Sequence, residues 1–167
     1  LAIKLFDQFR KLHKLSTRFR VLLQSASFLH DIGWVKGRIR HHKTSRDIIL
    51  KSSELSLSEE ERAIVALVTR YHRKALPKNT HKYYANLNKK KKNELRILAA
   101  LLRVADGLDR RHVSSVKDIS CEINDRQVIL EIVSNDFSEW EQMATEQKAD
   151  LFEVVFNREL IVHWKAK

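Results

Sequence analysis

The apolar residues of this chain keep a helical spacing up to about residue 112 and then change to the alternation of a strand, and this change of period limits what the chain can fold into. Three glycines and one proline, Pro77, leave few places for tight turns and favour helices over a many-stranded fold. Leu1, Leu5, Phe9 and Leu12 recur at helical spacing, so the chain opens inside an amphipathic helix. Because that pattern is already running at Leu1 and the one methionine is Met143, the sequence is expected to be a piece of something longer. A second helix is predicted from about Thr17 to Leu29, with Phe19, Leu22, Ala26 and Leu29 on one face and Thr17 as its cap. Gly33 and Gly37 bracket a loop, and a short third helix is predicted from about His42 to Lys51. Ser58 and Glu61 stand in capping-box register before Ile64, Val65, Leu67, Val68 and Tyr71, which starts a fourth helix. The fifth, about Lys90 to Asp109, is the longest and richest in leucine.

Beyond residue 112, Ile119, Cys121 and Ile123 alternate with polar residues, Asn124-Asp125-Arg126 turns the chain, and residues 128–133 follow as a second strand. Ser138 to Phe156 reads as one helix with Trp140, Met143, Ala144, Leu151, Val154 and Val155 as its apolar positions, and Leu160-Ile161-Val162 as a last short strand. The expected architecture is mainly α: a helical bundle over residues 1–112, with a small β-β-α-β appendage over residues 113–167.

Charge divides at the same place. Residues 36–111 carry 20 Lys/Arg against 8 Asp/Glu, whereas residues 112–167 carry 6 against 11, within a formal total of +11. A basic part that attracts polyanions and an acidic part with another job are implied. No apolar run approaches the roughly 20 residues that span a bilayer, and the N-terminus has no signal-peptide pattern. Cys121 is alone and cannot form an internal disulfide, so a reduced, cytoplasmic setting is expected, with no membrane partner.

The residues suited to chemistry are few. His30-Asp31 closes an apolar helical stretch, and far downstream Asp106 falls on the leucine face defined by Leu95, Leu98 and Leu102. A carboxylate there has to be neutralised, paired or bound to a cation. Val65, Val68 and His72 share a face of the fourth helix, which turns His72 inward, and His41 and His42 adjoin the third. Nitrogen and oxygen ligands from four segments suit a divalent metal such as Mn, Fe, Zn or Mg. His13, His81, His112 and His163 read as ordinary surface or partly buried residues.

Phe28-Leu29-His30-Asp31-Ile32-Gly33 resembles the signature of the HD superfamily of metal-dependent phosphohydrolases. More specifically, residues 41–45 (His-His-Lys-Thr-Ser), 70–73 (Arg-Tyr-His-Arg), 101–110 and 150–156, with the opening residues 5–9, resemble the C-terminal HD domain of exopolyphosphatases and guanosine pentaphosphate phosphohydrolases. The resemblance implies an HD-type bundle with His30, Asp31 and Asp106 at the core metal positions, and His41 (or His42) and His72 as the further histidines of two-metal members. It implies that Asp31 is catalytic in active members, and it calls for one more histidine about a helix before His30. His13 is too close for that place, so the ligand is expected before Leu1. Trp34 stands where many active members carry lysine.

The basic residues gather around these positions. Lys36, Arg38, Arg40, Lys43 and Arg46 follow the His-Asp pair, Arg70, Arg73, Lys74, Lys78 and Lys82 surround His72, and Lys89 to Lys92 form a run of four. His42, Lys43, Arg73, Lys74, Arg103 and Arg110 are the candidate substrate-binding residues. The leading expectation is a domain that binds polyphosphate or a related phosphate polyanion and extends the track of an actin-like pair of catalytic domains, whose glycine-rich phosphate loops are absent from this sequence. The parent is then a hydrolase, the hydrolytic power of this chain alone is left open, and the appendage serves as a packing or homodimer surface. The alternative is an active metal-dependent phosphohydrolase acting on a nucleotide or phosphoanhydride. A nucleic-acid-binding module ranks below both, because no helix-turn-helix or RNA-binding signature accompanies the charge.

Overall fold

The computed structural model describes residues 1–166; Lys167, the last residue of the expected appendage, lies outside the described residues. The bundle comprises α1 (Ala2–Gln8), α2 (Arg10–His13), α3 (Thr17–Leu29), a 3-10 turn over Ile32–Lys36, α4 (His41–Lys51), α5 (Glu59–Tyr71), the short α6 (Lys82–Ala85) and α7 (Lys89–Leu108). The helices predicted for the bundle are all present, with two local differences. The opening helix breaks at Phe9, and α3 starts with Ser16 as its cap residue, without a side-chain cap. The capping box of α5 closes on both sides: Ser58 N–H donates to Glu61 Oε2 at 3.0 Å, and Glu61 N–H donates to Ser58 Oγ at 3.3 Å.

α7 is the centre of the molecule. Every residue from Ile97 to Leu108 is buried, as expected of a helix apolar on nearly all sides and enclosed by neighbours. α1, α3 and α5 pack on it from the bundle, and two further helices, α8 (Glu139–Lys148) and α9 (Asp150–Phe156), pack on it from beyond. These belong to a unit that also contains strands β1 (Val116–Ile123), β2 (Gln127–Ser134) and β3 (Glu159–Ala166), in spatial order β1-β2-β3. β1 and β2 form the predicted antiparallel hairpin. Asn124 Oδ1 fixes its turn by accepting from Arg126 N–H at 2.9 Å and Gln127 N–H at 2.8 Å. β3 returns parallel to β2, with Gln127 opposite Glu159, and α8 and α9 make the crossover. Val128, Leu130 and Ile132 turn one face of β2 inward, and Phe152 and Phe156 of α9 meet Phe9 of the bundle, with ring centroids 5.1 and 6.1 Å away.

The crossover departs from its sequence pattern. The single helix expected over residues 138–156 is two, broken at Ala149, because the Asp150 carboxylate is held by Arg103 and accepts from Leu151 N–H at 2.7 Å. Trp140, Met143 and Val154, expected in the core, are exposed at 72%, 52% and 61%. α8 instead buries its polar residues Glu141 and Thr145 against α7. Gly107 makes this approach possible: a Cβ there would sit 2.6 Å from Thr145 Cα and 2.9 Å from its backbone nitrogen.

Gly107→Ala therefore sets two effects against each other. Helix propensity favours alanine by up to about 1 kcal/mol, whereas the clash with backbone, which cannot rotate away, costs about 1–3 kcal/mol. The clash is expected to win, lowering the urea midpoint of unfolding; an unchanged or raised midpoint would show that α8 does not dock as closely as described.

Candidate metal centre

The His-Asp pair sits where α3 ends. Ser45 of α4 pins this corner, with its hydroxyl donating to His30 O and accepting from Gly33 N–H, both at 2.8 Å. Gly33 has no room for a side chain: a Cβ would lie 2.2 Å from His41 O and 2.6 Å from Ser45 N. α4 thus lies directly against the turn, and His41, its first residue, reaches Asp31.

Three imidazoles, His30, His41 and His72, converge on Asp31, with the more exposed His112 as a fourth. His41 Nε2 lies 3.1 Å from Asp31 Oδ1, His72 Nε2 3.7 Å from the same oxygen, and His30 Nε2 3.6 Å from Oδ2. His41 Nε2 and His72 Nε2 are 3.4 Å apart. Each ring turns its other nitrogen to a backbone carbonyl three residues earlier: His30 Nδ1 to Ser27 O at 2.7 Å, His41 Nδ1 to Arg38 O at 2.9 Å, and His72 Nδ1 to Thr69 O at 2.6 Å. A carbonyl only accepts, so each Nδ1 carries a hydrogen, and the neutral form of each ring presents a lone pair at Nε2. Burial pushes the His72 ring down to about 3, which keeps it neutral at ordinary pH. Lone pairs and a carboxylate therefore face one another, and both His30 Nε2 and Asp31 Oδ1 are buried without a hydrogen-bond partner. A cation is what this donor set lacks. Asp31, His41 and His72 can hold one, since their ligand atoms lie within 4.8 Å of one another.

Asp106 approaches from α7, its Oδ1 3.9 Å from His30 Nε2, while its Oδ2 is taken by the ammonium of Lys148 from α8. Burial would raise the Asp106 carboxyl, but the Lys148 ammonium, by charge and by hydrogen bond, brings it below its ordinary value. Lys148 had no signal in the sequence, being separated by 42 residues and a β-hairpin from its partner. His112, expected to be ordinary, places Nε2 3.7 Å from Asp31 Oδ2. It does so from a left-handed backbone conformation, φ 56°, tied down by Asp109. His13 is a buried structural residue, with Nε2 against Phe6 O and Nδ1 accepting from Leu15 N–H, both at 2.9 Å.

A cavity of about 950 Å³ opens on the cluster, lined by Arg38, Arg40, Arg73, Lys74, Arg110 and Arg111, by His41, His42 and His112, and by Trp34, Ile39 and Trp140. Among the described residues no carboxylate lines it. The structure brings His42, Arg73, Lys74 and Arg110 of the candidate substrate-binding set to this wall, but not Lys43 or Arg103. Arg103 lies in the core, forked onto Asp150 at 2.7–3.0 Å and donating to Tyr71 O at 3.2 Å. Arg70 was not singled out as a binding residue, yet it is only 9% exposed and its Nη1 has no partner.

Burial, aided by the positive charge of Arg70, Arg73 and Lys43, pushes His42 down to about 4. Together with His72 it is neutral in the fold and protonates near its ordinary 6.5 once unfolded. The folded forms are depressed, so this stability is complete above about pH 6.5 and drains away as pH falls toward 4 and then 3. The urea midpoint of the metal-free chain is expected to fall steadily from pH 6.5 to 4.5, with a shallower slope in His42→Gln. A flat profile would contradict neutral burial of these rings.

A family model described as Ppx/GppA phosphatase, domain III, matches residues 1–153. No curated protein matches the chain. Among the described residues no helix is long and apolar enough to cross a membrane. With the family match covering nearly the whole chain, the protein belongs to the Ppx/GppA phosphatase domain III family.

Proposed function

We propose that this chain is the C-terminal HD-type domain of an exopolyphosphatase-like protein and that it binds polyphosphate, or a related phosphate polyanion, in the basic cavity beside the Asp31 cluster. The observation that carries this reading is the imbalance of the cavity wall: six Lys/Arg and three histidines without one Asp or Glu. Arg111 is committed to Glu141 and Asp136, but among the described residues Arg38, Arg40, Arg73, Lys74 and Arg110 form no salt bridge with a carboxylate. A chain of phosphates supplies the missing charge through multiple charge-assisted hydrogen bonds, with affinity that declines as salt rises. In this reading, removal of the terminal phosphate belongs to actin-like domains of the parent protein, and this domain lengthens the track that holds the polymer.

A second reading, a metal-dependent phosphohydrolase acting on a nucleotide or phosphoanhydride, draws on the metal cluster and on Trp34 and Trp140, which offer π-faces at the cavity. His41, His72 and Asp31 would hold a divalent ion, and two nitrogen donors favour Mn, Fe or Zn over Mg. Bound there, the ion would supply Lewis acidity toward phosphoryl oxygens. Asp31 would share its carboxylate between holding the ion and orienting a water, while Arg73 and Lys74 steady the phosphate.

Anisotropy of labelled polyphosphate tests the leading reading: Arg73→Ala/Lys74→Ala is expected to weaken binding tenfold or more and to reduce the slope of log affinity against log salt by about 1–2. Displacement of polyphosphate by duplex DNA at equal charge concentration would remove its claim to specificity. Metal analysis tests the second: after growth in Mn- and Zn-replete medium the chain is expected to retain metal and Asp31→Asn to lose it. Less than about 0.1 equivalent in the unmodified chain would rule out a metal-dependent hydrolase.

A further inference from the structure

Among the described residues Lys148 is the one ammonium that pairs with Asp106, and its placement is built rather than incidental. Its side chain is 14% exposed and that of Asp106 5%, and the pair meets directly through Nζ and Oδ2. Asp106 cannot stay ionised at that depth without a cation. Lys148 lies between two clamps. On one side, Arg111 donates to the buried Glu141 at 2.8–3.0 Å through both its backbone N–H and its guanidinium, with Thr145 seated on Gly107. On the other, Arg103 forks onto Asp150. α8 cannot rotate Lys148 away without breaking one of these.

Resting on the reading that Asp31, His41 and His72 hold a divalent ion, we infer that Lys148 is the resident counter-cation of Asp106, and that it withdraws this carboxylate from the ligand set so that the centre takes a single ion. His30 marks the boundary, its Nε2 standing 3.6 Å from Asp31 Oδ2 and 3.9 Å from Asp106 Oδ1. Beyond it, His30 and Asp106 would offer nitrogen and oxygen to a second ion if the ammonium were not already there. A dication placed beside a fixed ammonium is repelled strongly in so dry a site. Lys148 therefore decides both how many ions bind and where.

Calorimetric titration with MnCl₂ and with ZnCl₂ tests this without any activity measurement. The unmodified chain is expected to take one ion. Lys148→Met, which keeps length and removes charge, is expected to take a second or to bind the first at least tenfold more tightly, and the gain should vanish in Lys148→Met/Asp106→Asn. Equal stoichiometry and affinity in the unmodified chain and Lys148→Met, with binding still abolished by Asp31→Asn, would overturn the role of Lys148 and leave the metal reading intact. No uptake by either chain would overturn both. Folding is controlled by thermal unfolding without metal: Lys148→Met is expected to lower the midpoint and the double variant to restore much of it. A midpoint unmoved by Lys148→Met would also overturn the inference, since Asp106 would then not depend on this ammonium.

Discussion

A helix enclosed on every side cannot leave a charge unmatched, and in the enclosed stretch of α7 there are two, Arg103 and Asp106. Both are answered from the same short segment: Arg103 by Asp150 and Asp106 by Lys148, two residues apart where α8 gives way to α9. Removing one partner from the buried Lys148–Asp106 pair costs about 3–5 kcal/mol, because it strands the other, whereas Asp150 is 42% exposed and water screens its pair with Arg103. The β-α unit is thus bound to the bundle by charge as well as by the contact of Phe152 and Phe156 with Phe9. This explains why α8 turns polar residues inward and leaves Trp140 and Met143 in solvent.

The same logic governs the metal centre, with the opposite outcome. Around Asp31 the partners are imidazoles whose Nδ1 hydrogens are committed to Ser27, Arg38 and Thr69 carbonyls. The carbonyl contacts orient the rings as a second shell orients metal ligands, each fixing the tautomer that leaves Nε2 bare. Asp106 is satisfied within the fold and Asp31 is not. That asymmetry separates a structural ion pair from a site that can hold a cation, although the two carboxylates lie on either side of one histidine.

The bundle was legible because each helix carries its own period and caps, Ser58 with Glu61 most clearly. The inward placement of His72 and Asp106 followed from their spacing on apolar faces, and the nearness of His30 and Asp31 from adjacency. Three features were not legible. His112 reaches Asp31 only through a left-handed turn that no local pattern announces. Lys148 is separated from Asp106 by the hairpin. α8 buries Glu141 and Thr145, so its apolar residues misled about which face docks, and the close contact at Gly107 that permits this is a property of two segments together.

Charge segregation along the chain acquires a physical meaning in this arrangement. The acidic C-terminal part does not quench the basic bundle as a whole. Asp136 and Glu141 are spent on Arg111, and Asp150 on Arg103. Residues that must be held in place thus receive carboxylates, while Arg38, Arg40, Arg73, Lys74 and Arg110, along a cavity with no carboxylate in its wall, receive none. A fold that needed only stability would have distributed its acids more evenly, since unpaired like charges crowded around a cavity repel one another. Keeping them together makes sense when an anion is to be the partner that completes the set.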